Sequence, residues 1–281
     1  MVLESIIKPS EMERKPSEML LVGFVYSTIG LGLALFIFGD YSSIASVFLT
    51  AMPLVVIMYK TLRLEEKKDL RIQKERWLIK EHEKAVSMFI FLFIGMVVSY
   101  SFWFTILPED IGSELFSFQI NTIKSINPQI IGGIYLEDTI YAILVNNFSV
   151  LIFCILFSFI YGAGAILILT INASVIGVAI GNLIRNSIAD YASLSHLELI
   201  YNYFKSFPLS FAYAIHGIPE ITAYFLGALG GGIISVAVVN HDLKSDEFRR
   251  IIVDSFDLII LSALLLFLAG LLEVFVTPLL F

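Results

Sequence analysis

The sequence predicts an all-α, polytopic helical membrane protein with seven membrane spans. Of its 281 residues, 58% are hydrophobic and 15% are charged, and the mean hydropathy is +0.86. Charged residues make up about a quarter of an ordinary soluble domain, so this composition excludes a soluble fold. The chain is also divided into long apolar runs, each near the ~20 residues that one helical crossing requires.

The apolar runs set the boundaries of the predicted spans. The run at 139–184 is long enough for two crossings, and the "YGAG" at 161–164 marks the turn between them. Each other run accounts for one crossing. These single-span runs lie at 19–39, 41–59, 85–107, 208–239 and 258–281.

The distribution of Lys and Arg predicts the orientation. Residues 60–84 hold nine of the 18 basic residues, whereas 108–138 hold one and 185–207 hold two. Basic residues accumulate in cytoplasmic loops. We therefore expect a multi-pass protein of the cell membrane with a cytoplasmic N-terminus and an extracellular C-terminus. The first 18 residues are polar, and no cleavable signal peptide is expected.

The three longer connections differ in character. Residues 60–84 could bind anionic lipid or a partner, but six acidic residues dilute the bases. Glu65 and Lys68 have helical ion-pair spacing, so we favour a solvated helical extension of spans two and three. Residues 108–138 have apolar residues at helical spacing, which predicts a short amphipathic helix on the outer surface. Residues 185–207 are predicted to form a polar loop.

Polar residues within the spans define the candidate site. Asn147 in span four, His216 and Glu220 in span six and Glu273 in span seven fall at similar depth. His216 and Glu273 lie about 12 Å from the outer ends of their spans at helical rise, Glu220 lies one turn deeper, and Asn147 lies in the outer third of its span. A charged group at mid-helix costs about 2.5–3.5 kcal/mol on insertion scales, so these groups face protein or water. They either cross-link helices by hydrogen bonds or bind a proton or cation. The secondary polar positions are Asn146, Asn172 and Asn182.

Gly217 and Pro219 predict an interruption of span six. Proline removes a backbone donor, and its ring clashes with the preceding turn of a helix. We expect span six to break near Gly217–Pro219 and to restart as a helix. Glu220 would then lie in the first turn, where the helix dipole favours a carboxylate.

Small residues recur at four-residue spacing in two spans. Residues of this kind let neighbouring helices approach closely. They serve either packing within the subunit, which we favour, or a homodimer face. The predicted close-packing residues are Gly177, Gly181, Gly217, Ala223, Gly227 and Gly231.

Four segments resemble, in order, the motifs of the stage II sporulation protein M family: "VNNFSV" (145–150), "FIYGAGAILILTINASVIGVAIG" (159–181), "AIHGIPEITAYFLGALGGG" (214–232) and "LLEVFVTP" (271–278). The resemblance implies a five-span domain at 85–281. An N-terminal transmembrane hairpin with a charged cytoplasmic connector, at 1–84, is similar to that of archaeal members. By residue, the resemblance points to Asn147, Asn172, Gly177, His216, Gly217, Glu220, Glu273 and Pro278.

The resemblance also implies a class of function. In spore-forming bacteria the family member acts with peptidoglycan-cleaving enzymes at the septum during engulfment. We therefore expect a scaffold or assembly subunit of a cell-envelope complex, with membrane or envelope proteins as partners. The alternative is a transporter or channel for a small solute, proton or cation that uses Glu220 and Glu273.

An intramembrane hydrolase is the third hypothesis and has the least support. The sequence contains neither a His-Glu-x-x-His nor a Gly-x-Ser-x-Gly motif, so we expect no enzyme and no catalytic residue. A zinc site would need ligands from several spans. No cofactor is expected. A net charge of -7 gives no sign of a nucleic-acid partner, and the single Cys154 cannot form an internal disulfide.

Overall fold

The protein is an α-helical bundle, as the composition predicts. The computed structural model describes residues 14–69, 78–131, 136–161, 164–190, 196–241 and 243–276, and these residues contain no strand. The helices are α1 (Glu18–Phe38), α2 (Ser42–Asp69), α3 (Leu78–Ile106), α4 (Glu109–Leu115), α5 (Ser117–Ile131), α6 (Leu136–Tyr161), α7 (Ala165–Asp190), α8 (His196–Asn240) and α9 (Asp246–Phe275).

Six segments of the described chain are long and apolar enough to cross a membrane, compared with seven predicted spans. The first segment, Glu18–Lys68, has 51 residues, which is about 76 Å at helical rise and too long for one crossing. A 3-10 turn at Gly39–Tyr41 divides it into α1 and α2, which pack together. Gly39 has a φ of 47°, a left-handed conformation that glycine adopts without steric cost. The counts of six and seven therefore differ because α1 and α2, two predicted spans, are counted as one segment.

Helices α3 and α8 meet at the centre of the bundle. The Phe89 ring of α3 stacks on Phe225 of α8 with centroids 5.2 Å apart, and Phe93 meets the same ring edge-on at 6.3 Å. These rings belong to a buried core that takes side chains from α1, α2, α3, α6, α7, α8 and α9. The core holds α8 in a fixed register, and α8 carries part of the candidate site.

Helices α1 and α3 touch backbone to backbone. A methyl group added at Gly23 would overlap the carbonyl oxygen of Leu92, and one added at Gly95 would overlap that of Leu20. The two glycines therefore form a reciprocal crossing that admits no side chain. This crossing joins the N-terminal hairpin to the rest of the bundle.

The predicted close-packing positions serve contacts within the chain at five of six places. A methyl group at Gly177 would lie 2.6 Å from the Cβ of Tyr100, and one at Gly231 would lie 2.7 Å from the carbonyl oxygen of Ile155. Gly181 and Gly227 face α3 and α6 in the same way, and Ala223 is fully buried. Gly217 is the exception, because nothing in the described part of the chain lies within 4 Å of a methyl group placed there.

The predicted break in span six is wrong, because α8 runs without interruption from His196 to Asn240. Pro219 cannot donate a hydrogen bond to the carbonyl of Ile215, but keeping the helix leaves only that carbonyl unpaired. A break at membrane depth would free several backbone groups at once. Glu220 therefore lies in the interior of a helix, and the expected stabilisation by a helix start does not apply.

Two connections also differ from the prediction. Most of 185–207 is helix rather than loop, since α7 extends to Asp190 and α8 begins at His196. Arg185 of α7 hydrogen-bonds to the carbonyl oxygen of Leu107 and lies 4.9 Å from the ring centroid of Phe104. It thereby ties the ends of α3 and α7 together.

The predicted amphipathic helix at 108–138 is two helices, α4 and α5, that enter the core at their junction. Phe116 is buried against Tyr100 and Phe104. Gln119 is also buried. It accepts a hydrogen bond from Ser43 at 2.9 Å and donates one to Ser174 at 3.2 Å. This connection is therefore part of the packed bundle rather than only a surface helix.

Replacing Gly231 by Leu should lower the free energy of unfolding by about 1–3 kcal/mol, the usual range for overpacking, because the side chain must displace the α6 backbone at Ile155. Gly32→Leu is the matched control, since nothing lies within 4 Å of a methyl group at Gly32. Thermal unfolding in detergent measures both. Equal melting temperatures for the two variants would contradict the close crossing.

Single cysteines should report the predicted orientation in a Cys154→Ala background. A cysteine at Ser113, an exposed residue of α4, should react with a membrane-impermeant maleimide in intact cells. A cysteine at Lys244, also exposed, should react only after permeabilisation. The reverse pattern would contradict a cytoplasmic N-terminus.

Candidate intramembrane carboxyl site

Helices α6, α8 and α9 pack side by side in a register that small residues set. A methyl group at Gly227 of α8 would lie 2.5 Å from Leu151 of α6 and 3.2 Å from the hydroxyl of Ser262 on α9. One at Gly270 of α9 would lie 2.8 Å from Leu144 of α6. This close approach brings polar groups of all three helices to one place.

Two carboxyl groups lie near each other on the neighbouring helices α8 and α9. Tyr224 donates a hydrogen bond from its hydroxyl to Oε1 of Glu220 at 2.6 Å. The carboxyl groups of Glu220 and Glu273 lie close enough for their charges to act on each other and on Tyr224. Tyr224 is only 3% exposed, so both carboxyl groups adjoin buried surface.

A pair of amides on α6 borders the two carboxyl groups. Asn146 donates from Nδ2 to Oδ1 of Asn147 at 3.2 Å. This bond orients the Asn147 amide, so that its Nδ2 group points away from Asn146. Asn147 is 4% exposed, and its amide lies beside the Glu273 carboxyl group, the neighbouring acceptor for its Nδ2 donor.

The structure brings Asn147, Glu220 and Glu273 together, with Asn146 beside them. The side chain of His216 lies outside the described residues, although its backbone belongs to α8 one turn before Glu220. The other two secondary positions are both on α7. Asn172 is half-buried and Asn182 is exposed, and neither forms a hydrogen bond to this group within the described structure.

Two members of this environment were not anticipated from the sequence. Tyr224 follows Glu220 by four residues, the spacing at which helical side chains meet, and this spacing could have identified it. Cys154 of α6 is fully buried and lies near enough to Tyr224 to interact with it. No sequence pattern marks Cys154, because it stands alone in an apolar run.

A second polar cluster joins α2, α3 and the end of α8. Glu65 of α2 is fully buried and bonds to Nδ1 of His82 at 2.6 Å and to Lys68 at 2.5 Å. Glu66 bonds to Nε2 of His241, at the end of α8, at 2.5 Å. The predicted Glu65–Lys68 pair is therefore present. The prediction that 60–84 is a solvated extension is wrong at Glu65, Glu66 and His82, because pairing allows these groups to be buried.

The geometry of the carboxyl site limits its chemistry. Two adjacent carboxylates repel each other strongly where the dielectric is low, so the pair is stabilised by a bound proton or small cation. Within the described structure, no group of three or more His, Cys, Asp or Glu side chains is arranged to hold a metal ion.

These features define a class: a multi-pass helical membrane protein with a polar site between spans. A comparison with family models gives a match to stage II sporulation protein M over residues 86–278. The chain therefore belongs to the stage II sporulation protein M family, as the motifs indicate. Comparisons with curated proteins and with solved structures give no match.

Tyr224→Phe should lower stability by about 0.6 kcal/mol and by at most about 1.7 kcal/mol, the average and the maximum for side-chain hydrogen bonds in a membrane protein, because Glu220 loses its buried donor. Tyr141→Phe is the control, since Tyr141 is 71% exposed. The measurement is unfolding in lipid–detergent micelles. In a Glu220→Leu background the effect of Tyr224→Phe should vanish, and an undiminished effect would place the Tyr224 interaction elsewhere.

Proposed function

We propose that this chain is a multi-pass protein of the cell membrane that binds and moves a proton or small cation through Glu220 and Glu273. The observation that carries the proposal is the approach of these two carboxyl groups between α8 and α9, beside buried Tyr224 and Asn147. Helix cross-linking needs only amides and hydroxyls, which are cheaper to bury than carboxyl groups. A carboxyl pair is expected where a positive charge must bind and leave again.

The partial exposure of the two carboxyl groups fits this role. Tyr224 and Asn147 are buried, whereas Glu220 and Glu273 are each partly accessible. Accessible carboxyl groups in an apolar span are stabilised where they line a path for water or ions. Under the proposed orientation the site lies in the outer part of the membrane.

A scaffold or assembly subunit of a cell-envelope complex is the second candidate. Backbone contacts at Gly23, Gly95 and Gly231 join α1 to α3 and α6 to α8 without intervening side chains. Such crossings resist sliding of helices, which suits a rigid platform for partner proteins. In that case the carboxyl groups would serve as hydrogen-bonding partners alone.

Purified protein in liposomes separates the two candidates. With a pH-sensitive dye trapped inside and a potassium diffusion potential applied, the wild type should admit protons faster than protein-free liposomes. Parallel vesicles with a sodium-sensitive dye test a metal cation. Glu220→Gln and Glu273→Gln should each abolish the flux while keeping the fold, because the amide retains shape and hydrogen bonding but cannot carry the charge.

The control is Glu109→Gln, which removes an exposed carboxyl group of α4. It should leave the flux unchanged. If the wild type carries neither protons nor sodium, the proposal of ion transport is wrong and the scaffold or assembly subunit remains as the candidate function. Glu220→Gln would then be nearly silent in stability, whereas Glu220→Leu would cost about 1–3 kcal/mol by leaving Tyr224 unsatisfied.

A further inference from the structure

The charged end of α2 presents a basic surface. At 60–68 the exposed side chains are those of Lys60, Arg63 and Lys67. The two acidic residues of this stretch, Glu65 and Glu66, are buried and bonded to His side chains of α3 and α8. These acids were expected to dilute the bases, but their burial separates the two signs of charge. The exposed side of this stretch therefore attracts negative charge.

An apolar stripe leads up to these bases along the same side of α2. It consists of exposed residues three or four positions apart, a spacing that places them on one side of a helix, namely Phe48, Met52, Val55 and Tyr59. Arg63 and Lys67 continue this spacing. From Phe48 to Tyr59 the stripe is about 16 Å long at helical rise, close to half of a hydrocarbon core that is ~30 Å thick. It therefore matches the acyl chains of one leaflet.

Tyr59 and Arg63 mark the level of the lipid headgroups. The guanidinium carbon of Arg63 lies 6.0 Å from the centroid of the Tyr59 ring, the separation of a cation–π contact. Tyrosine is enriched where the apolar core of a membrane meets water. The ring steadies the guanidinium group, and the planar set of N–H donors on an exposed arginine fits the oxygens of a phosphate.

We propose that α2 binds an anionic glycerophospholipid, with the headgroup phosphate at Arg63 and Lys67 and an acyl chain along the apolar stripe. Lys60 adds a third positive charge beside Tyr59. Under the predicted orientation the lipid belongs to the cytoplasmic leaflet, whose surface is negative. This lipid site is separate from the carboxyl site, so its failure would leave the proposal of ion transport unchanged.

Native mass spectrometry of the full chain in detergent tests the inference, with phosphatidylglycerol as the anionic probe and phosphatidylcholine as the zwitterionic probe. The wild type should bind phosphatidylglycerol more tightly, and the preference should shrink as ammonium acetate screens the charges. Arg63→Gln/Lys67→Gln should weaken the binding of phosphatidylglycerol about 25-fold, because each base near an anionic surface contributes about fivefold. The binding of phosphatidylcholine should not change.

Arg249→Gln/Arg250→Gln is the matched control, because it removes the same charge from exposed residues of α9. It should bind phosphatidylglycerol as the wild type does. Equal losses in the two double variants would overturn the site, since binding would then follow net charge rather than the surface of α2. A wild type without preference for phosphatidylglycerol would also overturn it, and that measurement needs no variant to fold.

Glycerol phosphate, a headgroup without acyl chains, separates a lipid from a free phosphate as the ligand. It should compete only weakly with phosphatidylglycerol, because it makes no contact with the apolar stripe. Competition at equal concentration would contradict a lipid ligand.

Discussion

Backbone contact between helices is the constraint on which this bundle depends. In a bilayer, lipid tails are as apolar as the helix surfaces, so helices associate by packing and hydrogen bonding rather than by the hydrophobic effect. The reciprocal contact of Gly23 with Leu92 and of Gly95 with Leu20 uses the closest approach that a polypeptide allows. Gly231 of α8 likewise meets the backbone of α6 at Ile155, and Gly227 leaves room for the side chains of Leu151 and Ser262. The small residues Gly227, Gly231 and Gly270 bring α6, α8 and α9, the three helices of the carboxyl site, close together.

The fold class could be predicted from the sequence because a bilayer leaves a chain few choices. Backbone groups without water must bond within their own segment, so long apolar runs become helices. The helix ends at Tyr161 and Ala165 accordingly flank the predicted turn. The same requirement for backbone hydrogen bonds explains why the predicted break at Pro219 is wrong. One unpaired carbonyl in a continuous helix is easier to accommodate in a membrane than an interruption.

The carboxyl site could be predicted from the sequence in part, whereas the cluster at Glu65 and Glu66 could not. Depth along the spans places Asn147, Glu220 and Glu273 at one level, and any three helices that pack at that level bring such residues together. Nothing comparable marks Glu66. An acidic residue in a charged stretch looks solvated, and only its bond to His241, 175 residues later in the chain, explains its burial. Long-range pairing of this kind has no local pattern, and Gly23 and Gly95 were missed for a similar reason, although each has a serine four residues on.

The Glu66–His241 bond has a consequence for how the protein is made. The ribosome delivers α2 long before the end of α8, so Glu66 is synthesised and its helix inserted while its partner does not yet exist. A buried carboxylate without a partner is strongly unfavourable, which means that this end of α2 must stay hydrated until nearly the whole chain has emerged. The N-terminal hairpin can therefore enter the membrane first, but α2 reaches its final packed position in the bundle only late in assembly.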